Sequence, residues 1–406
     1  MAPLMRHKKV RLHPPRQVHR QLCHSVLMNK ELLLLVTAYQ YGIFYELVPL
    51  HHEWKSMKDA HPSGTPFVLP RRYFKRYGRK TIDLGFLCLD DVSIDAAPLH
   101  LSIFEGDIAV AVRWLKCHPT WLTYRVLDCA AAHGHLHLVD YFHKLNAGAS
   151  TSAMDLAAYR GHRSVVEFLH RSRTEGCSMH AMDAAATAGH LEVVTFLHNH
   201  SPIGCSTQAM DGAAAHGFLS VVHFLHTHRY EGCTTAAMDD AARNGHYDVV
   251  QFIHSHRHEG CTVAAMDAAA TNGHFKIVQF LHTHRTEGCT TDAMDGAAAR
   301  GHLEIVRWLH EHRTEGCTTD AMDDAAKNGH LDIVLWLDDV RCEGGTVAGA
   351  NDARERGFGH IADFMHNNCR TRQWPVYFED TIDSDSDSER VWWVRHNVSY
   401  DDDDDE

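Results

Sequence analysis

Apolar residues follow helical spacing along most of the chain, and each helical stretch lies close to a glycine that returns at a nearly constant interval. In Ile305-Val306-Arg307-Trp308-Leu309, apolar residues at i, i+1, i+3 and i+4 predict one broad buried stripe on a helix. Successive glycines are 28, 27 and then seven times 28 residues apart. Such a period predicts a stacked repeat array in which each unit packs only on its neighbours. The glycines are Gly106, Gly134, Gly161, Gly189, Gly217, Gly245, Gly273, Gly301, Gly329 and Gly357.

Each unit divides into two predicted helices. The sequence Ala-Met-Asp-x-Ala-Ala predicts a short first helix with Met and Ala on its buried face, and the periodic glycine ends it in a left-handed turn. His-x-x-Val-Val-x-Phe-Leu predicts the second helix, and Thr-Glu-Gly-Cys turns the chain into the next unit. A hydroxyl residue opens each first helix as a predicted N-cap. These residues are Ser150, Ser178, Ser206, Thr234, Thr262, Thr290, Thr318 and Thr346.

These units resemble the ankyrin repeat. The first unit carries Pro98-Leu99-His100 with Gly106 at the family's offset, and the middle units keep Ala-Ala-x-x-Gly-His and the Val-Val pair but replace Leu-His by Met-Asp. The resemblance covers about two-thirds of the chain and implies a non-catalytic protein–protein interaction scaffold. The family period is about 33 residues, so the turn here is too short for the family's β-hairpin finger. We predict an all-α solenoid of about ten stacked helix-turn-helix repeats, with the fingers shortened or absent.

The segments outside the array differ from it in composition. We predict a basic disordered arm at 1–20, a helical N-terminal cap with a basic loop insertion at 21–90, the repeat array at 91–370 and an acidic disordered tail at 371–406. The tail holds three arginines and twelve acids, and 3 − 12 gives −9 of the chain's formal −13. Such acidic surroundings predict phosphorylation by an acid-directed kinase at Ser384, Ser386 and Ser388.

The compartment is predicted from segments that the sequence lacks. No secretory signal and no apolar run long enough to span a bilayer occur, so we expect a cytoplasmic protein that is neither secreted nor bound to a membrane. Lys8-Lys9-Val10-Arg11 fits a nuclear-import pattern, which adds the nucleus as an alternative. Six of the twelve cysteines share one repeat column, where the spacing between units exceeds that of a disulfide and predicts free thiols.

Histidine and aspartate form two further columns with alternative roles. The 37 histidines include a His-x-His pair at the end of several second helices, such as His198 and His200. We predict that these rings hydrogen-bond to backbone at helix ends rather than bind metal, and a response to acid is a side hypothesis. The aspartate column, from Asp155 to Asp323, is either an acidic groove or a structural ladder with each carboxylate bonded to a neighbouring backbone amide. We favour the ladder.

The two residues before each glycine vary from unit to unit. In the ankyrin family this pair lies on the concave face and contacts partners, and none of the fourteen residues is acidic here. The pairs therefore predict a groove for an acidic or phosphorylated segment of another protein, or for this chain's own tail. The alternative is ordinary drift at exposed positions. The predicted partner-binding residues are Tyr159, Arg160, Thr187, His216, Arg243, Asn244, Thr271, Asn272, Arg300, Lys327 and Asn328.

A second function is predicted by a basic and aromatic cluster in the loop insertion. Its cations are Arg71, Arg72, Lys75, Arg76, Arg79 and Lys80, interleaved with three aromatic residues. With the basic arm they would make the chain a nuclear adaptor associated with nucleic acid. The acidic net charge argues against this alternative, and a solvated loop is the simpler interpretation. No phosphate loop, nucleophile elbow or metal-binding motif occurs, so we predict no catalytic, cofactor-binding or metal-binding residue and no enzyme.

Overall fold

The computed structural model describes residues 39–40, 43–52, 67–68, 81–82 and 94–368. The chain divides into two compact units, residues 1–317 and 318–406, which we call the N-terminal and C-terminal units. Nearly all described residues with regular structure are helical. None of these helices is long and apolar enough to cross a membrane.

Residues 94–317 of the N-terminal unit form eight helix pairs. In each pair the first helix carries an odd number and the second helix an even one. The helices are α1 (Ala97–Phe104), α2 (Ile108–Cys117), α3 (Tyr124–Ala132), α4 (Leu136–Lys144), α5 (Thr151–Tyr159), α6 (Arg163–Ser172), α7 (His180–Thr187), α8 (Leu191–His200), α9 (Gln208–Ala215), α10 (Leu219–His228), α11 (Ala236–Arg243), α12 (Tyr247–His256), α13 (Val263–Thr271), α14 (Phe275–His284), α15 (Asp292–Ala299) and α16 (Leu303–His312).

The described part of the C-terminal unit holds two helix pairs of the same kind. They are α17 (Thr319–Lys327), α18 (Leu331–Val340), α19 (Val347–Glu355) and α20 (Gly359–Asn368). Within each unit, consecutive first helices lie against each other. The described repeats therefore form the predicted all-α, ankyrin-like solenoid of helix-turn-helix units.

The predicted N-terminal cap is described only in part, and those parts include strands. Tyr39–Gln40 (β1) pairs antiparallel with Ile43–Phe44 (β2), and Phe67–Val68 (β3) pairs with Thr81–Ile82 (β4). Helical structure follows at 45–52. The stretch around Tyr39 is thus a short strand pair where we predicted a helix. Aromatic and β-branched residues favour strands, and only two residues separate β1 from β2.

The core runs along the helix pairs as predicted. In α7 and α8 the buried residues include Ala185 and Ala186 from the first helix and Val193, Val194 and Leu197 from the second. Because alanine is small, the first helices pack at short range. Aromatic residues on the second helices are buried less uniformly: Trp308, predicted to share the buried stripe, is only half-buried.

The backbone conformation and a close contact with the next repeat both favour glycine at the periodic position. Its φ is positive in every unit, for example 74° at Gly161 and 79° at Gly189, and side chains rarely adopt this conformation. In addition, a Cβ at Gly161 would overlap the ring of His190, and one at Gly189 would overlap Phe218, both from the next repeat. The left-handed turn was predicted, but the ring that lies on it was not. This contact joins consecutive repeats.

An arginine–glutamate pair stabilises six of the turns between repeats, and residues 94–368 contain no strand. In one turn Arg257 donates to both carboxylate oxygens of Glu259, and the amide of His258 donates to the same carboxylate. Although burial opposes ionisation, hydrogen bonds from Arg257 and from backbone amides lower the pKa of Glu259 to about 2. Arg173–Glu175, Arg229–Glu231, Arg285–Glu287, Arg313–Glu315 and Arg341–Glu343 repeat this pairing.

A ladder of aspartates links each first helix to the next one. In every pair described here, one carboxylate oxygen accepts from a backbone N–H at 2.7–3.0 Å and the other accepts from the hydroxyl of the same residue at 2.6–2.9 Å. That residue is the Ser or Thr at which the next first helix begins, either its N-cap or the residue just before the N-cap. The pairs are Asp128–Ser150, Asp155–Ser178, Asp183–Ser206, Asp211–Thr234, Asp239–Thr262, Asp267–Thr290 and Asp323–Thr346.

These hydrogen bonds confirm the structural role that we predicted for the aspartate column. They also show that each carboxylate bonds to a Ser or Thr hydroxyl, which we had not predicted. The amide bonded by each aspartate belongs to the following repeat, and the cap hydroxyl also accepts from its own helix, as Thr262 does from the amide of Ala264 at 3.2 Å. One hydroxyl thus begins a helix and joins it to the preceding one. Burial raises the pKa of Asp211 and Asp267, while the bonds from Thr234 and Thr290 act in the opposite direction.

We expect Asp239→Asn to destabilise the chain by about 1–3 kcal/mol, because the amide nitrogen would face the Thr262 hydroxyl and the buried group would lose an acceptor. The matched control is Asp240→Asn in the same helix, which removes only an exposed pair with Arg243 and should cost less than about 1 kcal/mol. Urea denaturation of both variants measures the difference. Equal losses would contradict a special role for the ladder.

Candidate functional site

The candidate binding surface consists of the exposed side of the first helices and the two residues before each glycine, here called the first-helix face. Tyr159 is 50 % exposed, and His216 and Arg243 are also exposed. Between them lie small, partly buried residues such as Ala184, Gly212 and others. The predicted residues thus lie at the C-terminal ends of the first helices, and they are not equally accessible.

The second member of most pairs is bonded to the preceding repeat. Arg160 donates to the carbonyl of Ala132 at 3.2 Å and lies 2.8 Å from Nδ1 of His133. Asn244 and Asn272 donate to the carbonyls of Ala215 and Arg243 at 2.7 and 2.8 Å. Arg300 donates to the side-chain oxygen of Asn272 at 2.6 Å. These four side chains hold the ends of neighbouring first helices together, a role that we had not predicted.

The first member of some pairs packs against a residue of the next repeat. A Cβ at Gly212 would overlap the hydroxyl of Thr187, and a Cβ at Gly296 would overlap that of Thr271. Thr271 is fixed by donating to the carbonyl of Asp267 at 2.8 Å. A branched residue in one repeat therefore requires glycine in the next. This complementarity limits which residues can vary on the face.

The sequence carries a signal of this pairing that we did not use. Comparing units three apart shows that the residue after the ladder aspartate runs Ala184, Gly212, Asp240 and again Ala268, Gly296, Asp324. The first pair member runs Thr187, Ala215, Arg243 and again Thr271, Ala299, Lys327. At these two positions, therefore, the residues of neighbouring repeats change together.

The cations of the face differ in what holds them. Arg243 pairs with Asp240 one turn away, and its side chain is 48 % exposed. In the C-terminal unit, Lys327 lies 3.9 Å from Asp324 and 3.5 Å from Asp352, and Asn328 accepts from Arg356 at 3.2 Å. Of the predicted cations in the N-terminal unit, Arg243 and Arg300 are exposed and Arg160 is partly buried. The guanidinium of Arg243 makes an exposed contact with Asp240 of its own helix, while its backbone carbonyl accepts from Asn272 of the next repeat.

Several histidines have the structural role that we predicted. After the periodic glycine, Nε2 of His135 lies 3.0 Å from the carbonyl of Phe104, and Nε2 of His274 lies 3.1 Å from that of Arg243. The second member of the His-x-His pairs bonds through Nδ1 to the carbonyl four residues earlier, as in His200 at 2.9 Å from Phe196. The first member differs. Nδ1 of His198, His226, His254 and His282 is buried and has no hydrogen-bond partner.

The thiols of the cysteine column are buried, except for the partly buried Cys205, and several of them, such as that of Cys233, lie close to the arginine–glutamate turn of the next repeat. Burial, with the charge of a nearby glutamate, raises the pKa of Cys233, Cys261 and Cys289 to about 11. The arginine of the following turn, such as Arg257 for Cys233, acts in the opposite direction. The thiols of the column in residues 94–317 are free. Among the described residues, no group of three His, Cys, Asp or Glu side chains could hold a metal ion.

The remaining predicted residues lie outside the described part of the chain. These are the basic cluster at 71–80, the arm at 1–20, and the tail with Ser384, Ser386 and Ser388. The nucleic-acid hypothesis and the phosphorylation sites therefore stay predictions. No described residue bears on either of them.

Comparison with known families identifies the repeats. A family model of ankyrin repeats in three copies matches residues 265–343, and a second ankyrin-repeat model matches residues 238–282. Residues 238–343 are therefore ankyrin repeats by sequence as well as by structure. No curated protein matches the chain. Ankyrin repeats in general mediate protein–protein interaction and are not enzymes, which supports a non-catalytic interaction scaffold.

We expect Gly212→Ala to destabilise the folded chain by about 1–3 kcal/mol, because the new methyl group overlaps Thr187. At an open helix position the same change would stabilise by about 1 kcal/mol. With Thr187→Ala as the background, Gly212→Ala should therefore become stabilising. Urea midpoints of the four chains test this reversal, and a gain in both backgrounds would contradict the proposed contact. Thr271 and Gly296 offer a second copy of the experiment.

The raised thiol pKa predicts slow alkylation. At about pH 8 only about a thousandth of each Cys233, Cys261 or Cys289 side chain would be thiolate, and the thiolate is the reactive form. Iodoacetamide should modify the exposed Cys342 long before these three, as read by peptide mass spectrometry. All four should react together in urea. Equal rates in the folded chain would show that the column is accessible.

Proposed function

We propose that the first-helix face of the N-terminal unit binds an extended segment of another protein that carries acidic or phosphorylated side chains. Support comes from the exposed residues Tyr159, His216 and Arg243, which are accompanied on this face by small side chains such as Ala184 and Gly212. Small residues let a backbone approach closely, and aromatic and arginine side chains are the usual anchors of protein interfaces.

Arg243 is the residue that favours an anionic partner. Its guanidinium pairs with Asp240 in an exposed contact, and such pairs are worth about 0.2–1 kcal/mol. A phosphate or carboxylate from a partner could replace that contact with a bidentate one, which is stronger. Arg160 and Arg300 are bonded to the preceding repeat and would contribute mainly long-range attraction.

His216 would contribute a hydrogen bond to the same segment. Its Nδ1 lies 2.9 Å from the carbonyl of Gly212, so Nε2 is the ring nitrogen that a partner would meet. Because a carbonyl oxygen can only accept, Nδ1 carries a hydrogen, and Nε2 of the neutral ring is an acceptor for a donor of the partner segment. Tyr159 adds apolar area at the start of the face, where it is half exposed.

The chain also carries an acidic segment of its own. Residues 371–406 have a net charge of −9 and would compete with a partner of the same chemistry for the first-helix face. Competition within one chain lowers apparent affinity because the tail is present at a high effective concentration. The tail would then regulate binding without a contact to the partner.

We expect Arg243→Ala to weaken binding about tenfold, since it removes the central anchor of the proposed face. The partner captured by affinity purification of the full chain would be titrated against this variant by calorimetry. Arg307→Ala is the matched control, because Arg307 is exposed on the second helix α16. Equal losses for the two arginines would contradict this surface.

Deleting residues 379–406 should raise the affinity of the same partner severalfold if the tail competes. Unchanged affinity would remove the autoinhibitory part of the proposal and leave the first-helix face untouched. The deletion should not rescue Arg243→Ala, because the anchor is absent with or without the tail.

A further inference from the structure

Four histidines form a row at the ends of consecutive second helices. The inner row consists of His198, His226, His254 and His282, at the end of α8, α10, α12 and α14. Each side chain is half-buried, and its Nδ1 atom is buried without a hydrogen-bond partner. The same unsatisfied atom in four successive repeats is a feature of the fold rather than an accident of one ring. Buried polar atoms normally find partners, so the row requires an explanation.

Each inner ring lies edge-on against an aromatic residue of the next repeat. The partners of the inner row are, in order, Phe224, Phe252, Phe280 and Trp308, at centroid distances of 5.5, 5.6, 5.3 and 5.0 Å. Edge-to-face packing of this kind contributes about 0.5–1.5 kcal/mol beyond the buried area. The row therefore joins neighbouring second helices at their C-terminal ends.

A second set of histidines fixes these aromatic rings in place. The outer row, His228, His256, His284 and His312, stacks on the same four aromatics at 4.3–4.4 Å between centroids. Its Nδ1 atoms lie 2.9–3.0 Å from the carbonyl oxygens of those residues. Each aromatic ring is thus in contact with an inner histidine of the preceding repeat and with an outer histidine of its own helix.

The charged groups facing the inner row are the same in each repeat. His198 faces Arg229, His228 and Glu231; His226 faces Arg257, His256, His223 and Glu259. His254 faces Arg285, His284 and Glu287; His282 faces Arg313, His312 and Glu315. The arginine and the outer histidine oppose a positive charge. The glutamate favours it, but that carboxylate already binds the arginine.

Protonation would place a second N–H donor on each inner ring. Nδ1–H would then be buried without an acceptor, next to a guanidinium and another imidazole. Burial lowers the pKa of all four rings, with the neighbouring arginine and outer histidine acting in the same direction. The folded state consequently holds fewer protons than the unfolded chain, so the row's stabilising contribution falls as the pH drops through the ordinary histidine range near 6.5.

We propose that the inner histidine row is an acid-sensitive latch. On acidification its rings leave the aromatic residues of the next repeat, and the C-terminal ends of α8, α10, α12 and α14 separate from the following second helices. The first helices stay joined through the aspartate ladder. Because adjacent repeats share their contacts, opening one copy weakens its neighbours, and the four copies respond together.

The latch does not depend on the proposed first-helix face. It concerns the ends of the second helices, and it predicts a response of the chain without any partner. An acid-dependent change there would stand whether or not Arg243 binds an anion.

Hydrogen exchange on the full chain at about pH 7.5 and about pH 5.5 tests the latch, after correction for the intrinsic pH dependence of exchange. We expect peptides from 191–200, 219–228, 247–256 and 275–284 to lose protection severalfold at the lower pH, while peptides from α9, α11 and α13 do not. In the His198/His226/His254/His282→Gln variant this pH dependence should disappear. Equal protection at both pH values in the unmodified chain would overturn the proposal.

Two single variants keep the test decisive if the fourfold variant does not fold. His254→Gln should reduce the acid response of 247–256 and of its neighbours. His258→Gln is its matched control, because His258 lies in the same repeat but is exposed in the turn. If both variants keep the response of the unmodified chain, titration elsewhere is responsible and the latch is wrong. A uniform loss of protection in first and second helices alike would equally overturn it.

Discussion

The bond between the ladder aspartate and the Ser or Thr at which the next first helix begins is the constraint on which the repeat depends. One carboxylate fixes both the amide and the hydroxyl of that residue, so the position at which each helix begins is set by the helix before it. The partners are 23 residues apart in every described pair but one. This constant separation explains why the period is strict while the turns and surface residues vary.

The exception supports the same interpretation. Asp128 and Ser150 are only 22 residues apart, in the unit whose glycine spacing is 27. The missing residue is absorbed by α4, which has nine residues where α6 has ten, and by a turn in which Asn146 adopts a φ of 55°. Asparagine tolerates this conformation better than most residues. The bond is retained, and the helix and turn adjust around it.

The sequence allowed the helices, the caps and the glycine turns to be predicted because each depends on residues within one unit. It did not show the partner of the aspartate, the ring over the glycine or the pairing of Thr187 with Gly212, because these depend on how one unit lies against the next. The strand pair at β1 and β2 was missed for another reason. Its apolar residues fit a helix and a short strand equally well.

Contacts between repeats also explain why several predicted site residues are less available to bind a partner. Pairs before the glycine looked free to vary, yet Arg160, Asn244 and Asn272 hold the preceding repeat, and Thr187 and Thr271 constrain the next one. Comparison of units three apart would have shown in the sequence only the pairing of Thr187 with Gly212 and of Thr271 with Gly296. Stacking thus leaves few positions for recognition, which is why the proposed function is centred on Tyr159, His216 and Arg243.

The two sides of the helix pairs should respond to acid in opposite ways. Burial raises the pKa of Asp211 and Asp267 on the first helices, so a lower pH does not weaken the folded state through these carboxylates. Burial lowers the pKa of the inner histidines on the second helices, so a lower pH does weaken it there. Burial disfavours the charged form at both places. That form is the deprotonated one for aspartate and the protonated one for histidine, so the two pKa values shift in opposite directions. A fall in pH should therefore weaken the packing between second helices and leave the packing between first helices intact.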